Sequence, residues 1–517
     1  MQSSPDTQNL AAVLDVHAAT RGAHPAVIAG DGVWTHRELA ARVRQLAVAL
    51  AAEGVAEGDL VGLGMSDGAE HVAAMFALAR LGAILLPMDC RWGPQETRSL
   101  AVHFRPRLIL RDDPAPIEIG PSRAGPGDAA PADPAPAGLQ AGHIRVLATA
   151  RLRALADAAD PAAAAAPAPG GDRPLLISLS SGTTGRPKGP AITHAQMLHR
   201  FVNQTVSLTF NWYDRFVVAT PLYFGGGRTF ALSFLYLGAT IVLLPPPWKP
   251  EELIATMARH RPTALFLVPT LLRRMLALPD AALAPFRALR LLISSGAPLH
   301  PREREAVCAR LSPQYFEYYA STEGGGITVL APSDRAAHGD SVGRMAFRVE
   351  LEVVGEDHAP LPPGEVGRIR YRGPGVATGF FRDPEADAEA FRDGWFYPGD
   401  LGVLDAEGFL SLRGRSRDMI IRGGANIYPV EIEQVIAQVP GVRDVAVVGL
   451  AHAEFGEEVC AVLVADAGLT AEAVVAECRA RLAAYKVPRH VRFVDELPRN
   501  SAGKVLKARL AEAVAPG

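Results

Sequence analysis

The chain has 517 residues, 49% hydrophobic and 21% charged, and its 52 basic and 55 acidic side chains leave a net charge of −3. That length exceeds what a single hydrophobic core fills, so two or more domains are expected. The near-neutral balance excludes the basic face of a general nucleic-acid or anionic-membrane binder.

In chain order, MQSSPDTQNLAAVLDVHAA lacks the basic-then-apolar profile of a signal peptide. No apolar run reaches the roughly 18 residues of a spanning helix, and the final AVAPG carries no anchor or peroxisomal signal. A cytoplasmic location without integral membrane association is expected. Cys90, Cys308, Cys460 and Cys478 have no C-x-x-C spacing and join no His/Cys cluster, which argues against zinc and for free thiols in a reducing compartment.

Residues 34–54 read as a helix opened by a Thr35/Glu38 capping box and stopped at Gly54. DLVGLGM, AILLPMD and RPRLILRDD read as strands and AEHVAAMFALARLG as a helix, an alternation that predicts an α/β sheet with parallel pairings. From about Pro114 to Asp172 the chain is rich in Ala, Pro and Gly, and much of it reads as a surface excursion crossing to the next lobe. A second strand-and-helix series runs from Leu175 to about Pro332, and short strands with Gly turns from Val349 to Leu412 predict a mostly β subdomain. About the last hundred residues read as a separate α+β unit, with Ile432, Val435, Ile436 and Val439 on one helical face. The expected division is 1–416 for a large N-terminal domain and 417–517 for a small mobile one. No 20–50-residue repeat is present.

The most informative stretch is LLISLSSGTTGRPKG at 175–189. An apolar strand, Leu175–Leu179, runs into Ser180, Ser181, Gly182, Thr183, Thr184, Gly185 and Lys188, and a helix then starts at a Thr193/Gln196 capping box. Glycines let backbone N–H groups turn inward, hydroxyls donate to phosphate oxygens and the lysine supplies charge, so the loop is a polyphosphate cradle. It is not a Walker A loop, because Gly-Lys-Ser/Thr is absent.

With these residues the sequence resembles the adenylate-forming superfamily of acyl-CoA synthetases, peptide-synthetase adenylation domains and luciferases. SSGTTGRPKG is similar to its phosphate motif, and further motifs in the same order extend the resemblance over nearly the whole chain. Tyr319-Ala320-Ser321-Thr322-Glu323 is similar to Y-G-x-T-E, with Ala320 in place of Gly. The resemblance implies that Tyr319 stacks on adenine, Thr322 contacts the α-phosphate region and Glu323 holds Mg²⁺. Gly324 and Gly325 are then expected at the acyl pocket. Ser295-Gly296-Ala297-Pro298 would lie against adenine and that pocket, with Ser295 on the acyl side.

Phe396-Tyr397-Pro398-Gly399-Asp400 resembles Y/F-x-T-G-D, implying that Asp400 accepts from the ribose hydroxyls; Pro398 stands where Thr is usual. Gly414–Pro429 is similar to the hinge motif: Arg415 would contact ribose or phosphate, Arg417 would be the pivot in place of Asp or Lys, and Gly423 and Gly424 would line the pantetheine channel. Asn426 of the same motif counts among the cofactor contacts. Pro498–Lys504 is similar to P-x-x-x-x-G-K, whose lysine, here Lys504, would bridge the acyl carboxylate and the α-phosphate. Lys504, Thr322, Glu323 and Lys188 form the expected catalytic set.

Tyr223, Phe224, Gly225 and Gly226 sit where the family places an aromatic motif beside the acyl chain, and the glycines Gly225–Gly227 are expected to leave open space. Arg228 reads first as paired with a local acid or with solvent, and alternatively as a partner for a second substrate carboxylate. The resemblance implies ATP, Mg²⁺ and CoA, a fatty or aromatic acid substrate (fatty acid metabolism in the first case), and a monomer or homodimer. Two other readings are a ligase that loads a carrier-protein thiol and a non-catalytic nucleotide- or acyl-binding protein; the retained Lys188, Glu323, Asp400 and Lys504 argue against the latter.

Overall fold

Along the strand Arg215–Val218, Phe216 and Val218 enter one apolar cluster and Val217 another, the period of two expected of a strand with both faces covered. Such strands build the two α/β sheets of this computed structural model, which describes residues 9–113, 115, 117–118, 143–179, 188–297, 299–499 and 505–514.

The first sheet has nine strands, with Pro25–Ala29, Thr240–Leu243, Arg215–Val218, Ala264–Phe266, Leu291–Ser294 and Tyr315–Ser321 parallel at its centre and antiparallel strands at both edges. The second has seven, with His143–Ala148, Leu108–Arg111, Leu60–Gly64, Ile84–Pro87 and Pro174–Ile177 parallel. One large cluster joins both sheets through the helices His36–Ala52, Ala69–Leu81, His194–Ser207 and Gly225–Tyr236. Ala69–Leu81 is buried at every position from His71 to Arg80, as a helix apolar on all sides should be.

The expected α/β architecture is present, and both capping boxes form: Thr35 with Glu38 and Thr193 with Gln196. Three expectations need correction. A helix, Pro94–Phe104, lies between AILLPMD and the next strand; its short apolar stripe (Leu100, Ala101, Phe104) sits among polar residues and gives a weak sequence signal. The supposed excursion ends in strand His143–Ala148 and helix Thr149–Asp157, which belong to the seven-stranded sheet. Strand Pro174–Ile177 pairs with Ile84–Pro87 in that same sheet, so Leu175 does not begin a second lobe.

Residues Glu350–Arg415 form a six-stranded antiparallel sheet, the expected β subdomain. The five-stranded sheet after it runs from Ile420 to Phe493, packed by helices Pro429–Ile436 and Ala471–Arg481, with Ile432, Ile436 and Val439 buried. The 3₁₀ turn Ser416–Asp418 links the two sheets. No helix among the described residues is long and apolar enough to cross a membrane.

Near the N-terminus, His36 is buried with its Nε2 3.1 Å from the Gly238 carbonyl and its Nδ1 without a partner. Burial, then the neighbouring His17, pushes its pKa down to about 4. His194, whose Nδ1 accepts from the Leu10 N–H at 3.1 Å, is likewise pushed down to about 4 by burial. Both folded-state values lie below the unfolded value near 6.5, so the stability they confer is complete above that pH and is lost as pH falls toward 4. We predict that His36→Gln, which keeps a donor for Gly238, flattens the fall in melting temperature between pH 6.5 and about pH 4; an unchanged slope would refute the assignment.

Candidate functional site

Strand Pro174–Ile177 runs into the buried Ser178, just before the predicted cradle. Ser180, Ser181, Gly182, Thr183, Thr184 and Gly185 lie outside the described residues, as do Pro298 and Lys504. The two roots of the cradle meet: the Ser178 N–H donates to the Pro190 carbonyl at 3.2 Å, and a side chain on Gly189 would stand 2.7 Å from the Ser178 carbonyl. Lys188 places its ammonium 5.1 Å from the Phe380 ring centre. The segment beyond it pairs with the stretch after Gly373, through Phe381 N–H to Gly189 O at 2.9 Å and Ala191 N–H to Gly379 O at 3.2 Å.

That same stretch reaches the Thr322–Glu323 turn, where the Ala377 N–H donates to the Glu323 carbonyl at 2.8 Å. Ser321 Oγ accepts from the Gly324 N–H at 2.9 Å and bonds the Tyr371 hydroxyl. Burial pushes the Glu323 carboxyl up, against the pull of hydrogen bonds from its own backbone and Ser321 and of the Arg200 and Arg415 charges. A β-carbon on Gly324 would overlap the Tyr371 ring at 2.3 Å, and one on Gly325 would press on the Arg200 stem at 3.0 Å. The places beside these two glycines are therefore filled by Tyr371 and Arg200.

Tyr319, at the end of the strand before the turn, donates its hydroxyl to Asp400 Oδ2 at 2.5 Å. Arg415 Nε sits 2.8 Å from Asp400 Oδ1 and its Nη1 donates to the Pro398 carbonyl at 3.1 Å. Burial, then the Asp400 charge, holds the Tyr319 phenol well above its ordinary value. Three expected nucleotide contacts thus form one bonded group across two sheets. Pro398, which lacks the hydroxyl of the usual Thr, takes part here through its carbonyl.

Ser295, Gly296 and Ala297 follow strand Leu291–Ser294; Gly296 has φ +98° and open space at its α-carbon. Arg417 is half-exposed in the Ser416–Asp418 turn, its Nε 3.6 Å from Asp418 Oδ1. Gly423 and Gly424, at φ +58° and +82°, form the two-residue turn of the hairpin Ile420–Arg422/Ala425–Ile427, a geometry that demands positive φ at both positions. They and Asn426 are exposed in the small unit.

The turn Pro221–Phe224 docks on the ends of the seven-stranded sheet. The Leu222 N–H donates to Asp67 Oδ2 at 2.9 Å, and the Tyr223 hydroxyl accepts at 2.7 Å from Arg91, which Asp89 holds. Burial, then the Asp89 charge, pushes the Tyr223 phenol up to about 12. Phe224 packs half-buried on the large core. Of the three glycines after it, only Gly225 leaves room; side chains on Gly226 and Gly227 would meet the Phe266 ring at 2.9 Å and the Thr220 carbonyl at 2.5 Å. The expectation of open space at all three is corrected to one.

Arg228 is also corrected. It is buried, away from solvent, with no acid beside it among the described residues. Its guanidinium donates to the Leu222 and Tyr223 carbonyls at 3.2 and 2.8 Å and to Ser178 Oγ at 2.9 Å, clamping the aromatic turn to the cradle strand, and burial lowers its pKa to about 9. The sequence reading also missed Arg200 and Gln196. Gln196, Arg200 and Asn203 lie at i, i+4 and i+7 of helix His194–Ser207, a polar stripe whose helical spacing was available as a signal. Gln196 Nε2 donates to Val376 O at 2.9 Å and Asn203 Nδ2 to Phe347 O at 2.8 Å.

The sequence model of the AMP-binding enzyme family matches residues 14–381, and that of the AMP-binding enzyme C-terminal domain matches 431–504. Over 509 residues the chain is 34% identical to an indoleacetate–CoA ligase of Aromatoleum aromaticum, covering 97% of each chain. It is 33% identical to a feruloyl-CoA synthase of an Amycolatopsis species, covering 94% of this chain and 95% of that protein. Among solved structures, ATP-bound MatB from Rhodopseudomonas palustris superposes with a TM-score of 0.85 at 29% identity, covering 98% of this chain and 99% of that one.

Proposed function

The chain belongs to the AMP-binding enzyme family of AMP-forming acid–thiol ligases, and from that premise we propose that it activates a fatty or aromatic carboxylic acid as its acyl-adenylate and passes the acyl group to the thiol of CoA. The observation that carries the reading is the Tyr319–Asp400–Arg415 group. It sets a carboxylate with two acceptor oxygens beside an aromatic ring, at the junction with the turn that bears Glu323, where a ribose and its phosphates would sit.

In the first half-reaction an oxygen of the substrate carboxylate attacks the α-phosphorus of ATP; the new P–O bond forms as the bond to pyrophosphate breaks. The loop 180–187 and Lys188 hold the phosphates, Thr322 contacts the α-phosphate, and Lys504 draws the two anions together. Glu323 would hold a Mg²⁺ ion: a hard cation that keeps waters and phosphate oxygens needs one or two protein carboxylates, and Glu323 supplies one, half-buried beside the turn. Bound there, the ion would offset charge on the departing pyrophosphate.

In the second half-reaction the small unit, taken as 417–517, turns about Arg417, withdraws Lys504 and brings the Gly423–Gly424 hairpin to the adenylate. The thiolate then displaces AMP from the mixed anhydride, a step that needs positioning and exclusion of water more than a strong base. Indoleacetate and ferulate, the acids named for two relatives, support an aromatic substrate.

The test is a panel of aryl and straight-chain acids scored by AMP release with free CoA and, separately, with a pantetheinylated carrier protein. Release that depends on free CoA is expected. Release only with the carrier protein would overturn the acceptor, and absence of ATP–pyrophosphate exchange with every acid would overturn the activity.

A further inference from the structure

Arg200 is a fully enclosed cation whose three bonded nitrogens all end on main-chain carbonyls. It is 5% exposed on helix His194–Ser207. Its Nε donates to Gly375 O at 2.7 Å, its Nη1 to Thr322 O at 3.1 Å and its Nη2 to Glu323 O. The stem lies against two glycines: side chains on Gly325 and Gly375 would stand 3.0 and 3.1 Å from its Cγ. The planar fork therefore bridges the helix that follows the cradle, the turn carrying Thr322 and Glu323, and the stretch after Gly373 that pairs with the cradle's exit.

We infer that Arg200 is a positioning residue that sets the Thr322–Glu323 turn at the height its side chains need to meet metal and phosphate. The inference rests on the function proposed above. Three carbonyls in fixed directions need a rigid fork of donors, which guanidinium supplies and a lysine ammonium does not. Without it all three carbonyls lose their charged donor, and Glu323 O keeps only the Ala377 N–H. A buried carbonyl left without a donor is costly, so the turn relaxes toward water and Glu323 moves with it.

The experiment uses the full chain with Arg200→Lys and Arg200→Gln. Amide hydrogen exchange across 321–325 is read first, without ATP or metal, and is expected to quicken at least tenfold in both variants while the capping-box amides of 194–197 stay protected. The Mg²⁺ concentration at half-maximal ATP–pyrophosphate exchange is read second, and is expected to rise at least fivefold in Arg200→Lys, with KM for the acid within twofold of wild type. Glu323→Gln placed on Arg200→Lys should add less than it does alone. A lowered melting temperature with unchanged exchange at 321–325, an unchanged Mg²⁺ requirement, or full additivity with Glu323→Gln would each overturn the inference. If the wild-type chain itself shows no ATP–pyrophosphate exchange, the proposed function fails, and the hydrogen-exchange comparison still decides whether Arg200 holds the turn.

Discussion

Lys504→Ala is expected to slow ATP–pyrophosphate exchange by about 10²–10³-fold while leaving thioester formation from supplied acyl-AMP within a few-fold of wild type. Adenylation must bring a carboxylate against a phosphate, two anions that repel at contact, and one fixed cation between them is worth several kcal/mol in a water-poor site. The thiolysis step has no such pair of anions, because the carboxylate charge has gone into the anhydride.

Lys504 lies outside the described residues, but the chain on either side is firmly held. Leu506 N–H donates to Pro498 O at 2.8 Å, Arg499 pairs with Asp444, and Lys507 Nζ is 2.7 Å from Glu433. Asp444 and Glu433 act in turn on the charge of His300, which follows the Ser295–Ala297 loop of the large unit. Single-turnover assays of the two half-reactions check the prediction; equal loss in both would contradict the role given to Lys504.

Asp400→Ala is expected to raise KM for ATP about a hundredfold, with a smaller loss in kcat. The carboxylate would accept both ribose hydroxyls, and charge-assisted bonds of this kind are worth about 1.5–3 kcal/mol each. Its removal also frees Tyr319 and leaves Arg415 beside the Pro398 carbonyl with no counter-charge at 2.8 Å. Tyr319→Phe, which removes one of these bonds and keeps the ring, should raise KM by about tenfold or less, since a single bond to a charged acceptor is lost. Initial-rate kinetics in ATP at saturating acid separate the two; an Asp400→Ala enzyme with wild-type KM would show that the ribose lies elsewhere.

The difference between what was legible and what was not follows the range of the interactions. The chain order of strands, helices and capping boxes, the family, and the choice of Tyr319, Asp400 and Arg415 as candidates were open to reading, because each rests on residue type at short spacing. The helix Pro94–Phe104 escaped because its apolar stripe is short, and the end of the Ala/Pro-rich stretch escaped because composition masked strand His143–Ala148. The glycines misled for a related reason: a missing side chain means either open space or close approach, and only neighbours from distant sequence tell which. Gly225 has room for a side chain, whereas Phe266 fills the place beside Gly226.

The sequence by itself determined the family: a Gly-rich loop that reads as a phosphate cradle, and two acids and a late lysine at the positions where the resemblance expects a cation, a ribose and the reacting carboxylate. Only the tertiary structure decided how that chemistry is held. Arg228 and Arg200 look like surface arginines in one dimension, yet each is buried: Arg228 ties the carbonyls of the turn just before it to the remote Ser178 hydroxyl, and Arg200 spends its donors on carbonyls of remote turns. The physical reason is that a buried guanidinium is fixed by partners brought to it when the sheets and helices pack, and no spacing along the chain encodes which carbonyls those are.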